Sequence, residues 1–79
     1  MKIVLTGLQP DFDLDALRER MTHFGPVLGV QVVREGNPDQ PWAIVEMALD
    51  AGKAHEVARR IDGLYHVDRF IRARVLTHG

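Results

Sequence analysis

The stretch Pro41-Trp42-Ala43-Ile44-Val45-Glu46-Met47 predicts a strand around which the rest of the fold is arranged. Its side chains alternate with the period of two that is typical of a strand. One face carries Trp42, Ile44 and Glu46, and the other carries Ala43, Val45 and Met47. The second set is an ordinary core face. The first set places the sole tryptophan and an isoleucine on the opposite side, and an uncovered apolar strip of this kind usually marks a binding surface.

The length of 79 residues predicts a single small domain over residues 1–79. A chain of this size buries only about 60% of its extended surface, so we expect one core and no deep active-site cavity. The sequence has no cysteine, which excludes disulfides, thiolate metal sites and cysteine nucleophiles.

No apolar run approaches the roughly 20 residues that a membrane-spanning helix needs. The first apolar run, residues 3–5, gives way to Thr6-Gly7 before a signal-peptide core is formed. We therefore expect a soluble cytoplasmic protein with no membrane partner.

The formal net charge of −1 hides a segregation of charge along the chain. Residues 1–50 carry four Lys or Arg against eight Asp or Glu, whereas residues 51–79 carry six against three. The total argues against a strongly basic nucleic-acid binder, but the segregation leaves room for a local basic patch.

Periodicity predicts four strands and two helices. The strands are expected at about 2–6, 27–34, 41–47 and 70–76, and the helices at about 14–24 and 51–61. Asp13 and Asp50 are the predicted N-caps, because a carboxylate accepts hydrogen bonds from the first helical turn. The inward stripes are Leu14, Leu17, Met21 and Phe24 in the first helix, and Ala54, Val57, Ala58 and Ile61 in the second.

The resulting order, βαββαβ, predicts an α+β, ferredoxin-like sandwich with a four-stranded antiparallel sheet and both helices on one face. In the usual strand order the first and third strands are central. Two short helices cover one side of such a sheet, so we expect the side that carries Trp42 to remain open.

The chain resembles the RNA recognition motif family over nearly its whole length. The segment 40–47 stands where that family has its octamer, and the segment 3–8 stands where it has its hexamer. The frame is also similar, with Phe24-Gly25-Pro26-Val27 after the first helix, Asp62-Gly63 after the second, and Arg69 before the last strand. The resemblance implies a domain that binds single-stranded RNA on the open face of its sheet.

By position, the base-stacking residues that the resemblance implies are Val4, Trp42 and Ile44, of which Trp42 alone is aromatic. Such domains stack two or three bases on aromatic rings. Each base–aromatic stack is worth about 1–3 kcal/mol, so the two aliphatic positions predict weak RNA binding. Val4 and Ile44 then give apolar support, or contact a protein partner instead.

Polar residues complete the predicted nucleic-acid-binding set. Arg72 and Arg74 share the outward face of the last strand, where guanidinium groups neutralise phosphate or stack on bases. The alternative is that they pair with Glu46 and keep an exposed strand soluble. Lys2 and Thr6 are expected on the same face, and Gln31 is a candidate for hydrogen bonding to a base edge.

The alternative function is a protein-interaction module of the same fold, using the apolar sheet face or an acidic first helix. That helix region carries Asp11, Asp13, Asp15 and Glu19. A peptide-binding subset of the family has an Arg-x-Phe before the last strand, where this chain has the adjacent pair Arg69-Phe70. The four histidines show no ligand spacing, and no Ser/His/Asp set is suggested. We therefore predict no metal, no cofactor, no small-molecule substrate and no enzymatic activity.

Overall fold

A computed structural model of the protein describes residues 1–36, 39–66 and 69–76, with only the backbone of His66 included. The elements in chain order are β1 (Lys2–Thr6), α1 (Leu14–Thr22), β2 (Val27–Val33), β3 (Trp42–Met47), α2 (Ala51–Ile61), β4 (Leu64–His66) and β5 (Arg69–Leu76). Residues 37 and 38, in the predicted turn before β3, lie outside the described residues.

The strands form one sheet in the order β2-β3-β1-β5-β4, and every neighbouring pair is antiparallel. The first and third strands are interior, as the sequence predicts. The prediction of four strands is wrong, because β4 pairs with the start of β5 and makes a fifth. Gly63, at a φ of 87°, turns the chain back after α2, and its N–H donates to the Ile71 carbonyl at 2.7 Å. A three-residue strand is too short for an alternating pattern to reveal it.

The core lies between one face of the sheet and the two helices. The inward side chains of β1 and β3 are at most 1% exposed, and all four predicted core residues of α2 are buried. These inward strand residues are Ile3, Leu5, Ala43, Val45 and Met47. Burial of this apolar surface is the main force that holds the helices on this face, at roughly 25 cal/mol per Å².

Both predicted helix caps are present. The Asp13 carboxylate accepts from the N–H groups of Asp15 and Ala16 at 2.9 and 3.2 Å. In the same way, the Asp50 carboxylate accepts from the Lys53 N–H at 2.8 Å. Each cap satisfies backbone donors that have no partner within the helix.

The first helix is shorter than predicted. The N–H groups of His23 and Phe24 bond to carbonyls three residues earlier, a tighter turn that ends α1 at Thr22. Phe24 therefore reaches the core from this turn rather than from the helix. Leu14 is 40% exposed, so the expected inward stripe does not include the first turn.

Candidate nucleic-acid interface

The strand register brings all eight predicted site residues onto the side of the sheet that faces away from the helices. Val4 lies between Ile44 and Arg74, and Gln31 lies beyond Ile44 in the same row. The other predicted site residues pair as Lys2 with Glu46 and Leu76, Thr6 with Arg72, and Trp42 with Val33. Within the described part of the chain, neither helix contributes core residues to this side.

Trp42 is the aromatic group that β3 presents on the open face, with 45% of the residue exposed. Its alternation with fully buried Ala43 follows from the strand period. The indole lines a cleft of 480 Å³, which we call the aromatic cleft. Its other lining residues are Thr6, Gly7, Gln40, Arg69 and Phe70. The ring is therefore accessible to a ligand from the side opposite the core.

Val4 and Ile44 are less accessible than their positions predict. Val4 lies on the expected face, but it is only 3% exposed, and Ile44 is half-buried. The physical reason is that β1 is the middle strand, so the side chains of Ile44 and Arg74 flank Val4 on both sides. Little of the Val4 side chain is therefore available for direct contact with a ligand. It fills the floor of the open face.

Arg72 has an ion-pair partner, but this is not the Glu46 that the sequence suggested. Its Nε donates to the Asp62 carboxylate at 2.7 Å, and the same Oδ1 accepts from the Ala73 N–H at 3.0 Å. The hydrogen bond from Arg72, and after it the one from Ala73, holds the pKa of Asp62 below its ordinary 3.8, and the Asp62 carboxylate in turn raises the pKa of Arg72. Asp62 thus accepts from an N–H of β5 that lies beyond the residues paired with β4, and it offsets the charge of one predicted phosphate-binding group.

Arg74 is placed differently, although it lies only two residues further along β5. Its side chain is exposed, and within the described residues its guanidinium takes part in no ion pair. It lines a second cleft of 330 Å³ with Val4, Thr6, Asp62, Arg72 and Ala73. Of the two arginines predicted to contact RNA, Arg74 is the one that keeps an uncompensated charge.

The other polar candidates lie at different distances from the aromatic cleft. Thr6 lines both clefts, Lys2 is half-buried at the opposite end of β1, and Gln31 is exposed on β2. Gln31 is separated from Arg74 by Ile44 and Val4, so that two strands lie between them. The set is therefore a broad surface rather than a single pocket.

Two aromatic residues next to this surface were not among the predicted site residues. Phe70 and Tyr65 are 63% and 61% exposed, and their ring centroids are 5.1 Å apart. The outward position of Phe70 was readable from its alternation with Arg72 and Arg74. Tyr65 gave no such signal, because it lies on the short β4 strand that the sequence pattern does not reveal.

The structure gives little support to the sequence features that suggested other functions. The acidic residues Asp11, Asp13, Asp15 and Glu19 are exposed, and Asp13 is occupied as a helix cap. Among the residues that the structure describes, no three His, Asp or Glu side chains are grouped to hold a metal ion. Neither described helix has the length and apolar character needed to cross a bilayer.

An open-faced α+β sandwich with one exposed indole on an interior strand defines a class of small binding domain. The sequence profile of the RNA recognition motif matches residues 3–65, which is most of the chain. The protein therefore belongs to the RNA recognition motif family, whose members are RNA-binding modules and generally not enzymes, and by that membership it is an RNA-binding domain. No curated protein matches the sequence.

Solved structures share the fold at low sequence identity. The third RRM of Pes4 superposes with a TM-score of 0.82 at 13% identity, covering 99% of this chain and 93% of that one. The yeast splicing factor Prp24, solved as its three N-terminal RNA-binding domains, gives 0.83 at 17% identity, covering 98% of this chain and 32% of that one. The Rna15 RRM with bound RNA (GU) gives 0.71 at 18% identity, covering 96% and 83%.

Proposed function

We propose that the protein binds single-stranded RNA weakly through the open face of its sheet. The observation that carries the proposal is the exposed Trp42 on interior strand β3, at the place where members of this family stack a base. Arg74 supplies positive charge on the same face without a carboxylate partner in the described structure. The RNA seen on the Rna15 RRM, a protein of the same fold, supports this class of ligand.

The weakness follows from the side chains that the face lacks. Ile44 is aliphatic and half-buried, and Val4 is almost inaccessible, so neither provides a ring for stacking. Asp62 also offsets the charge of Arg72. Of the three positions at which members of the family stack bases, Trp42 alone carries a ring. Each missing stack weakens the binding free energy by about 1–3 kcal/mol.

The test is a titration of isotope-labelled protein with short single-stranded RNAs, followed by backbone amide shifts. We expect shifts along β1, β3 and β5 that saturate at high RNA concentration, and an affinity that falls with added salt through counterion release. Amides on these strands that stay unmoved up to millimolar RNA contradict the proposal.

A protein partner is the second candidate, favoured by the apolar groups left exposed around the same face. Tyr65 and Phe70 are 61% and 63% exposed. Apolar docking depends little on salt, whereas phosphate binding depends on it steeply. Binding of a protein or peptide that is insensitive to salt, together with no response to RNA, favours this candidate.

A further inference from the structure

The aromatic cleft contains two rings from strands that are not neighbours in the sheet. Trp42 comes from β3 and Phe70 from β5, with β1 between them. Both are well exposed, at 45% and 63%. The cleft volume of 480 Å³ lies within the range of roughly 300–1,000 Å³ that is usual for pockets of small ligands.

The walls of the cleft are held in place by close backbone contacts. Gly7 has a φ of 83°, and a Cβ at this position would lie 2.2 Å from the Phe70 carbonyl oxygen. The absence of a side chain therefore lets the end of β1 approach the backbone of β5 at Phe70. Tyr65 packs on Phe70 with an interplanar angle of 56°, which restrains the ring from the outer side.

Two polar groups face the same space. Gln40 is exposed beside Trp42, and its amide offers both donors and an acceptor. The Arg69 guanidinium donates to the carbonyls of Leu8 and Asp39 at 2.9 and 3.2 Å. Carbonyl groups are neutral, so Arg69 is fixed in position while its positive charge is kept at the cleft.

We propose that the aromatic cleft is a base pocket, in which one unpaired nucleobase of the RNA packs against Trp42 and Phe70 beside the amide of Gln40. This inference rests on the proposed RNA-binding function and adds Phe70, Gln40 and Arg69 to it. Stacking area is concentrated here because the middle of the face is aliphatic: Val4 is buried and Ile44 has no ring. Arg69 adds attraction for the polar edge of the base or for its phosphate.

The decisive variant is Phe70→Leu, which removes the ring but keeps an apolar side chain at an exposed position. The matched control is Leu28→Ala, since Leu28 is 62% exposed on β2 and does not line the cleft. Binding of a random-sequence RNA octamer is measured by amide shifts and by quenching of the fluorescence of Trp42, the sole tryptophan. We expect Phe70→Leu to raise Kd about 5- to 150-fold, the effect of one lost stack, while the control stays within about twofold.

The outcomes separate the base pocket from RNA binding in general. If the wild-type chain binds RNA and Trp42→Ala weakens it, but Phe70→Leu binds as tightly as wild type, the base pocket is wrong and the RNA-binding proposal stands. If the wild-type chain shows no response to RNA, both are wrong. The amide spectra of both variants must show the wild-type fold. Gln40→Ala is a further variant at an exposed position, and we expect it to change the preference of the protein among the four bases.

Discussion

The two faces of β3 differ in burial although they belong to one six-residue strand. Ala43, Val45 and Met47 are completely buried under the helices, whereas Trp42 and Glu46 are exposed and Ile44 is half-buried. The inward face is densely packed, so a change there affects the free energy of unfolding. The outward face lacks such a cover, so a change there affects binding instead. The inward residues of β3 thus stabilise the fold, whereas its outward residues are available to contact a ligand.

The largest effect is expected for Met47→Ala on the inward face. Met47 is 0% exposed, and truncation of a buried Met costs about 2–5 kcal/mol through lost transfer free energy and the cavity left behind. A domain of this length has a total stability of roughly 4–12 kcal/mol, so the variant is expected to be severely destabilised. Urea unfolding measures the change. A loss no greater than that of Ile44→Ala, on the opposite face, would remove the distinction between the two faces.

Trp42→Ala is the corresponding change on the outward face. We expect RNA affinity to weaken by about 1–3 kcal/mol, because one stacking ring is lost, with the fold retained. The affinity is measured by amide-shift titration, and the fold is checked by the dispersion of the same spectra. Trp42→Phe, which keeps a ring, is expected to recover part of the affinity. Unfolding of Trp42→Ala would instead show that the indole is needed by the core.

A smaller effect separates the two arginines of β5. The salt dependence of binding to single strands has a log–log slope of about −0.7 for each phosphate neutralised. Arg74→Gln is expected to lower the magnitude of this slope by about 0.7, whereas Arg72→Gln lowers it less, because Asp62 already offsets that charge. Equal losses for the two variants would contradict this assignment.

A third variant, Asp62→Asn, tests the same ion pair by changing the carboxylate instead of the arginine. The amide keeps an oxygen that accepts from the Ala73 N–H but removes the negative charge beside Arg72. The released guanidinium is expected to steepen the slope by up to about 0.7 and to tighten RNA binding at low salt. Weaker binding by this variant would show that Asp62 serves the interface rather than restraining it.

The smallest effect is expected in the pH dependence of stability. The Asp62 pKa is lowered in the folded state by the hydrogen bond from Arg72. The unfolded carboxyl therefore takes up a proton more readily than the folded one, so the stabilisation is present above 3.8 and is lost as pH falls through the lower folded pKa. Because the pair is exposed and screened by water, its contribution to stability is small. Carboxyl NMR shifts should show a midpoint below 3.8 that moves back up in Arg72→Gln, and a midpoint at or above 3.8 in the wild-type protein would contradict the ion pair.

Much of the fold could be predicted from the sequence, because local rules determined it. The cap residues Asp13 and Asp50 act within their own turns, and the limits of α2 follow from its apolar stripe. The faces of β3 and β5 follow from the period of two, as the alternating burial of both strands confirms. The cytoplasmic location remains a prediction.

The features that could not be predicted depend on contacts between distant parts of the chain. β4 exists because a glycine turn folds three residues back onto the start of β5. The burial of Val4 depends on its two neighbouring strands, and the pairing of Arg72 depends on where α2 ends. None of these has a signature in the residues themselves.

The sequence by itself determined the order of elements, the side of each strand that faces the core, and a single tryptophan on the open side. These depend on periodicities and caps that act over a few residues. Only the tertiary structure decided that Trp42 shares a cleft with Phe70 and that Asp62 holds Arg72 but not Arg74. Such pairings join residues 10 to 28 positions apart, and their geometry is set by sheet register and helix packing rather than by local preference.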